Sequence, residues 1–406
     1  MKVALLSPGW PPSACANGIV TYVSLLQQGL RRADVDSRIL AASVKADKVD
    51  ANVVDLAGCA HRFPRIQDVV HRVIGRLRPH ELTSFLVAGD VMRGLRDLEP
   101  DFSPDLLEME ESFGSAGRVA KRSRIPVVTR LHGPWFLNGA ALGAPRDEAF
   151  RHRVASEGAA IANAKALTSP CQDLLDRVRQ QYGLELAHGR VIPNPAPEVD
   201  ASLRWKLSAS DPDLLLFVGR FDRHKGGDLV IDAFAELAAK RPRLKLTFIG
   251  PDRGLEDGQG RTVGLPEYLS ERLPDRSVRS RIQHLGQMPA DQIPEWRRKA
   301  RVTIVASRFE VFPMVVLEAL AFGSPLVAAS AGGIPEMVTH EENGLSFENG
   351  DAHDLANRLE LMLDRPDFAA KLGEQAARDA EVRFGPDAIA RRMKAYYEGV
   401  LAENLR

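Results

Sequence analysis

The sequence has no surplus of either charge, because its 54 Lys and Arg residues are matched by 54 Asp and Glu residues. A protein that binds nucleic acid without sequence preference needs a basic surplus to neutralise phosphates. The balance therefore argues against a general nucleic-acid binder, and no nucleic acid is expected among the partners.

Cysteine is scarce. The 406 residues contain three cysteines, Cys15, Cys59 and Cys171, which are far apart and form no CxxC pair. This excludes a disulfide scaffold and a cysteine zinc site. It favours a reducing compartment, and we expect a cytoplasmic protein.

Long apolar runs and common cofactor motifs are also missing. No segment reaches the roughly 18 apolar residues of a membrane-spanning helix, and the first nine residues do not read as a signal peptide. There is no GxGxxG after the first strand, no GxxxxGK[ST], and no cluster of His, Asp and Glu with metal-ligand spacing. We therefore expect neither a metal nor a tightly bound cofactor.

Short apolar runs alternate with helical patterns, which predicts an α/β protein with parallel sheets. The series stops at Pro193-Asn-Pro-Ala-Pro197 and then starts again. Three prolines in five residues cannot continue a helix or a central strand, so we place an interdomain linker there.

The predicted domains are 1–196 and 197–385, followed by a helix in 386–406. Two doubly wound domains would place a ligand cleft outside the carboxyl ends of their strands. The predicted strands are 2–7, 37–43, 104–109, 125–131, 165–169, 189–193, 214–218, 244–249, 302–306 and 325–329.

The most informative segment runs from Ser307 to Gly323 and contains two glutamates eight positions apart. Glu310 follows a predicted strand. Pro313 suits the first turn of the next helix, whose free N–H groups could bind an anion. Glu318 lies inside that helix. The two carboxylates could hold two ends of one extended ligand, although a solvated Glu310 and a salt-bridged Glu318 would be the ordinary interpretation.

A second segment, residues 217–227, offers two cations and two glycines after a predicted strand. Arg220 can bind oxygens bidentately, and Lys225 adds a mobile point charge. Together with a glycine-rich helix start these residues suit a diphosphate. A basic surface turn is the alternative for this segment alone.

The first half carries weaker signals. Gly18 opens a predicted helix and allows close approach of a ligand. His132 follows a strand and could donate a hydrogen bond to a substrate, although a lone histidine in a loop is more often structural. The candidates for the acceptor side are Asn17, Glu110 and Trp135.

Taken together, these segments resemble the retaining family 4 glycosyltransferases, which have the GT-B fold of two Rossmann-like domains facing across a cleft. The resemblance covers nearly the whole chain. Its most specific part is the E-x7-E pattern from Glu310 to Glu318. Further matches, in the same order along the chain, lie at 17–23, 190–195, 218–226, 331–336 and 343–345.

The resemblance implies roles for the matched residues. Arg220 and Lys225 would clamp the donor diphosphate, Glu310 would bind hydroxyls of the transferred sugar, and Glu318 would bind the ribose. His132 would contact the sugar near the reacting centre. The amides of Phe312, Met314 and Val315 would contact sugar and phosphate, whereas Pro313 cannot donate. Gly18 and Gly219 would line the donor site, and Leu285 and Gln287 stand where the family contacts the nucleobase.

The implied function is transfer of a hexosyl unit from a nucleotide-diphosphate sugar to a saccharide or lipid-linked acceptor, with retained configuration and without a metal. UDP-sugars are favoured and GDP-mannose stays open. Cell-surface polysaccharide or glycolipid synthesis is the setting that family precedent favours. The alternatives are a sugar-nucleotide 2-epimerase on the same fold and a binding protein that has lost transfer.

One segment bears on location. Residues 65–78 place their apolar side chains on one helical face with Arg65, Arg72 and Arg76 off it. Such a helix can lie on an anionic membrane, which would bring the protein to the inner face. Packing against the first sheet is the alternative. The last segment is expected to return to the first domain, as in the GT-B fold.

Overall fold

The computed structural model describes residues 1–15, 17–46, 50–57, 79–98, 101–256 and 260–404. Contacts divide the chain into two compact units. The first contains Met1–Pro195 and the last helix, and the second is Ala196–Gly385. The segment 65–78 lies outside the described residues.

The first unit is built on a parallel sheet of seven strands in the order β3-β2-β1-β4-β5-β6-β7. Its central strands are buried because both faces of such a sheet are covered, although β4 and β5 also carry the buried polar residues Glu108 and Arg130. In β1, for example, every residue after Lys2 is buried. The strands are β1 Lys2–Ser7, β2 Asp36–Ala41, β3 Val53–Asp55, β4 Leu106–Glu110, β5 Val127–Arg130, β6 Ala166–Ser169 and β7 Arg190–Val191.

Six helices lie between these strands in the described residues of this unit. The first begins where the side chain of Asn17 accepts a hydrogen bond from the Ile19 N–H, which is an N-cap. Val23, Leu26 and Leu30 form its buried face against the sheet. The helices are α1 Gly18–Arg32, α2 Leu82–Leu98, α3 Ser115–Ala120, α4 Trp135–Ala141, α5 Glu148–Ala162 and α6 Gln172–Tyr182.

The second unit has a parallel sheet of six strands in the order β12-β9-β8-β13-β14-β15 and a small antiparallel pair, β10-β11. Its core packs the buried strands against apolar helix faces. The strands are β8 Leu214–Val218, β9 Lys245–Ile249, β10 Leu255–Glu256, β11 Thr262–Val263, β12 Ile282–His284, β13 Val302–Val305, β14 Leu326–Ala329 and β15 Leu345–Phe347. The helices are α7 Gly227–Lys240, α8 Leu265–Arg272, α9 Arg276–Arg279, α10 Ile293–Lys299, α11 Met314–Ala321, α12 Ala352–Asp364 and α13 Pro366–Phe384.

The last helix, α14 Pro386–Asn404, completes the first unit rather than the second. Ile389, Met393 and Tyr397 are fully buried in the first core. The Tyr397 hydroxyl donates to the buried Glu108 of β4 at 2.8 Å. A Cβ on Gly29 of α1 would lie 2.4 Å from the Pro386 carbonyl oxygen, so only glycine allows the two helices to approach this closely.

The predicted strands lie close to those of the structure, with differences mainly at their ends. The strand predicted at 189–193 is much shorter, only Arg190–Val191. Pro193 and Pro195 lack the N–H that a longer ladder would need.

Candidate functional site

The carboxylate of Asp222 orders the loop after β8. Asp222 accepts from the Arg220 Nε at 2.6 Å and from the Lys225 backbone N–H at 2.7 Å. Both cationic side chains are only partly buried and keep N–H groups for a ligand. Asp222 was missed as a site residue in the sequence because it reads there as an ordinary turn residue.

Glu310 stands after β13 and meets this loop. Its Oε1 forms an ion pair with the Lys225 Nζ and lies 3.9 Å from the His224 Nε2. Burial lowers the pKa of His224, despite the nearby Glu310 carboxylate. The structure thus brings together Arg220, Lys225 and Glu310, three residues that the sequence places up to 90 positions apart.

A third loop, after β14, closes on Glu310 from the other side. The Gly333 N–H donates to the Glu310 carbonyl oxygen at 2.9 Å. A Cβ on Gly332, which has φ 55°, would lie 2.0 Å from that oxygen. Three loops therefore meet at the carboxyl ends of adjacent strands, where open α/β sheets bind ligands.

Helix α11 begins at Met314, as the sequence predicts, directly after Pro313. Pro313 has an extended backbone (φ −73°, ψ 128°) and is the N-cap, so its predicted place in the first turn is wrong. The Val316 N–H already bonds the Pro313 carbonyl. The amides of Met314 and Val315 precede it and belong to the N–H groups that a helix start leaves for other partners. Phe312 packs its buried ring edge-on against Phe384.

Glu318, one turn into α11, is held by a residue that the sequence analysis did not single out. It accepts from the Arg297 Nη2 at 2.7 Å. Arg297, on α10, is 1% exposed, whereas the Glu318 side chain is 34% exposed. The orientation of Glu318 is therefore fixed, and its side chain remains accessible from solvent. The sequence did not reveal that Arg297 is buried, because it stands in a basic run, Arg297-Arg-Lys299, which is typical of an exposed surface.

The candidate nucleobase residues lie beside the end of β9. The Leu285 N–H donates to the Phe248 carbonyl, and the Gly250 N–H donates to the Gly286 carbonyl. Leu285 packs partly against the apolar cluster on this face of the sheet, and Gln287 is exposed. Gly219 approaches the same strand end, with its N–H on the Ile249 carbonyl.

In the first unit, His132 and α1 meet. The imidazole packs edge-on against the Tyr22 ring with centroids 5.0 Å apart. Burial and the neighbouring Arg130 guanidinium hold the pKa of His132 well below its usual range, so the ring is neutral at pH 7. Asn17 and Gly18 lie exposed at the start of the same helix.

The other candidates on this side, Glu110 and Trp135, are partly buried and hydrogen-bonded. Glu110 accepts from the Ser112 hydroxyl at 3.1 Å. The Trp135 N–H donates to Glu157, a fully buried residue of α5 that the sequence analysis missed. The sequence does not mark Glu157 as part of this cluster, because the backbone groups that it binds are 22 and 44 positions away.

Within the described ranges, no group of three or more His, Cys, Asp or Glu residues could hold a metal ion. The same ranges contain no helix with the length and apolar character needed to cross a membrane.

Two family models match the chain and together cover most of it. The model described as "Glycosyl transferase 4-like domain" matches residues 17–195, and "Glycosyl transferases group 1" matches residues 200–379. The boundary between the matches falls close to the division between the two units.

Known proteins agree with these matches. A D-inositol 3-phosphate glycosyltransferase from Acidothermus cellulolyticus is 29% identical over 97% of this chain and 88% of its own length. The solved sucrose-phosphate synthase of Thermosynechococcus elongatus has a TM-score of 0.71 at 22% identity, covering 99% of each chain. Anabaena HepE in complex with UDP-glucose has a TM-score of 0.64 at 19% identity, covering 100% of this chain and 99% of its own. The chain has two parallel-sheet α/β units of the GT-B type, and it belongs to the family 4 glycosyltransferases.

Proposed function

We propose that the protein transfers a hexosyl unit from a UDP-sugar to a saccharide or lipid-linked acceptor, with retention of configuration and without a metal. The observation that carries the proposal is the meeting of Arg220, Lys225 and Glu310 at the carboxyl ends of β8 and β13. In this proposal the second unit binds the donor and the first unit binds the acceptor.

The chemistry follows from the charges that develop during transfer. The sugar gains positive charge and the departing diphosphate gains negative charge. Arg220, Lys225 and the amides at the start of α11 present positive potential to the diphosphate, a role that a metal ion fills in other transferases. Glu310, now paired with Lys225, would accept hydrogen bonds from sugar hydroxyls once the lysine turns to the phosphate.

The neutral imidazole of His132 suits a hydrogen bond to the sugar near the reacting centre. Family precedent for retention is attack from the face that the diphosphate leaves, with that phosphate accepting the acceptor's proton. Glu318, fixed by Arg297, would hold the ribose, and Leu285 with Gln287 would contact the base.

The donor and the acceptor are supported to different degrees. UDP is favoured because HepE, which shares the fold, was solved with UDP-glucose. For the acceptor, the relative from Acidothermus is named for D-inositol 3-phosphate, and this compound stands as a second candidate beside a saccharide or glycolipid. A setting in cell-surface synthesis, at the inner face of the membrane, goes with the lipid-linked acceptor.

The first test is a thermal-shift screen against UDP, GDP, ADP and their sugar conjugates, with EDTA present. A ligand that binds only the folded protein raises Tm, by about 2.7 kcal/mol of stabilisation at 100 times its Kd. We expect UDP compounds to raise Tm, and Lys225→Ala and Glu318→Ala to lose the effect. Lys240→Ala, which changes an exposed lysine of α7, is the matched control. No shift at millimolar concentration would contradict the proposed donor site.

Turnover separates the remaining alternatives. Incubation with UDP-N-acetylglucosamine alone tests the 2-epimerase, because its product would form without an acceptor. Nucleotide binding without transfer to any acceptor would indicate a binding protein. Proton NMR of a transferred sugar gives its anomeric configuration, and an inverted product would contradict the retaining mechanism.

A further inference from the structure

Glu157 is a buried carboxylate that binds backbone rather than solvent. It lies on α5, and its side chain is fully buried. Its Oε2 accepts from the Trp135 N–H at 2.6 Å, and its Oε1 accepts from the Phe113 N–H at 3.0 Å and from the Arg153 Nε at 2.9 Å. One side chain thus joins the loop after β4 to the loop after β5.

Glu111 does the same from the loop after β4. It is 1% exposed, and its carboxylate accepts from the His132 N–H at 3.0 Å and from the Gly133 N–H at 2.9 Å. The two glutamates therefore bind four backbone N–H groups from the two loops. Both loops lie at the carboxyl edge of the first sheet, where ligands of such sheets bind.

This arrangement costs stability. Burying a carboxylate is expensive even when it is hydrogen-bonded, and here the nearby Glu157 makes ionisation of Glu111 still less favourable. Phe113 also has φ 58°, in the left-handed region that residues other than glycine seldom adopt. Strain of this kind, held in place by surrounding contacts, is typical of functional sites.

The position of His132 depends on its backbone. Within the described part of the chain, neither of its ring nitrogens makes a hydrogen bond, and its ring is located by an edge contact with Tyr22. The two glutamates accept hydrogen bonds from the backbone N–H groups of His132, Gly133 and Trp135.

We propose that Glu157 and Glu111 are positioning residues, which act through the backbone of residues 132–135 to fix His132 for glycosyl transfer. The inference rests on the proposed function, in which His132 contacts the sugar. The glutamates themselves touch neither sugar nor nucleotide.

The first test is Glu157→Gln, which keeps the shape of the side chain but loses its charge and one acceptor oxygen. The assay is nucleotide release from UDP-glucose, UDP-N-acetylglucosamine or GDP-mannose, with D-inositol 3-phosphate or a saccharide present as the acceptor. We expect kcat to fall about 10- to 100-fold, the range that small misplacements of a reacting group cost, with the donor KM changed less than about twofold. Glu148→Gln, an exposed glutamate of the same helix, is the control and should leave kcat unchanged. An unchanged kcat in Glu157→Gln would overturn the proposal.

A double-mutant cycle with His132→Ala separates positioning from general destabilisation. If Glu157 acts through His132, the double variant should be no slower than His132→Ala alone, because residues that act as a unit are not additive. Multiplied losses would show that Glu157 acts independently and would refute the inference. Glu111→Gln provides the same cycle on the second carboxylate if Glu157→Gln does not fold.

Hydrogen exchange gives a readout that does not depend on activity. The amides of His132, Gly133 and Trp135 should be protected in the wild type. The Trp135 amide should exchange faster in Glu157→Gln but not in Glu148→Gln, and unchanged exchange would contradict the inference. If the wild type releases no nucleotide from any donor, the proposed function fails, and exchange still decides whether the carboxylates fix the loop.

Discussion

At the scale of single residues, the candidate donor site combines residues that the sequence singled out with others that it hid. Arg220, Lys225 and Glu310 were chosen from their types and spacing, and they meet. Their supports were not found in this way. Asp222 reads as a turn residue and Arg297 as part of a solvated basic run, because a sequence does not show which of several similar side chains faces inward.

The protonation of Glu111 predicts how the free energy of unfolding changes with pH. Burial and the neighbouring carboxylates Glu157 and Glu110 raise the pKa of Glu111 to about 8. The folded protein therefore binds more protons than the unfolded chain between about pH 4.5 and pH 8, and its free energy of unfolding falls as pH rises through this window. The slope from this group is at most about 1.4 kcal/mol per pH unit.

We expect Glu111→Gln to remove that slope. Measured by urea unfolding from pH 5 to pH 8, the variant should gain stability relative to the wild type as pH increases. Glu148→Gln should differ from the wild type by a constant amount. A difference between Glu111→Gln and the wild type that stays flat over this range would show that Glu111 does not titrate there.

At the scale of elements, the donor site depends on loops that approach each other at backbone distance. Most strands were predictable because a doubly covered parallel strand is an uninterrupted apolar run. The loop contacts were not, because they depend on which strands become neighbours. The order β8-β13-β14 brings residues 219–227, 306–313 and 330–333 together, and no local pattern states that order.

Gly332 tests this loop contact. Both Gly332 and Gly350 have positive φ, at 55° and 88°, but a Cβ on Gly350 would meet nothing within 4 Å. Alanine at Gly350 should therefore cost only the backbone penalty, about 1 kcal/mol. Alanine at Gly332 must also displace the Glu310 carbonyl, so we expect a larger loss of Tm and a weaker thermal shift with UDP. Equal behaviour of the two variants would contradict the close approach.

At the scale of the whole molecule, the first unit is discontinuous in the chain. Its core includes Ile389, Met393, Tyr397 and Val400 of α14, which follow the entire second unit. Each such side chain contributes about 1.5–3 kcal/mol when buried. Their sum is comparable to the total stability of an ordinary domain, about 5–15 kcal/mol.

A chain that stops after Gly385 should therefore lose the first unit and keep the second. Limited proteolysis, read by mass spectrometry, should cut within residues 1–195 while 196–385 stays resistant and still gains stability from UDP. A chain that stops after Leu401 keeps Ile389, Met393, Tyr397 and Val400, the buried residues of α14 named above, and serves as the control. Equal resistance of residues 1–195 in both truncated chains would show that α14 is dispensable.

The same discontinuity determines which of the two units is completely synthesised first. A ribosome releases residues 1–195 first, but their core is incomplete until residues 386–404 have also been translated. The second unit, made later, is complete in sequence before the first. Until then residues 1–195 expose the apolar surface that α14 covers in the folded protein, and we expect chaperones that bind emerging chains to recognise it.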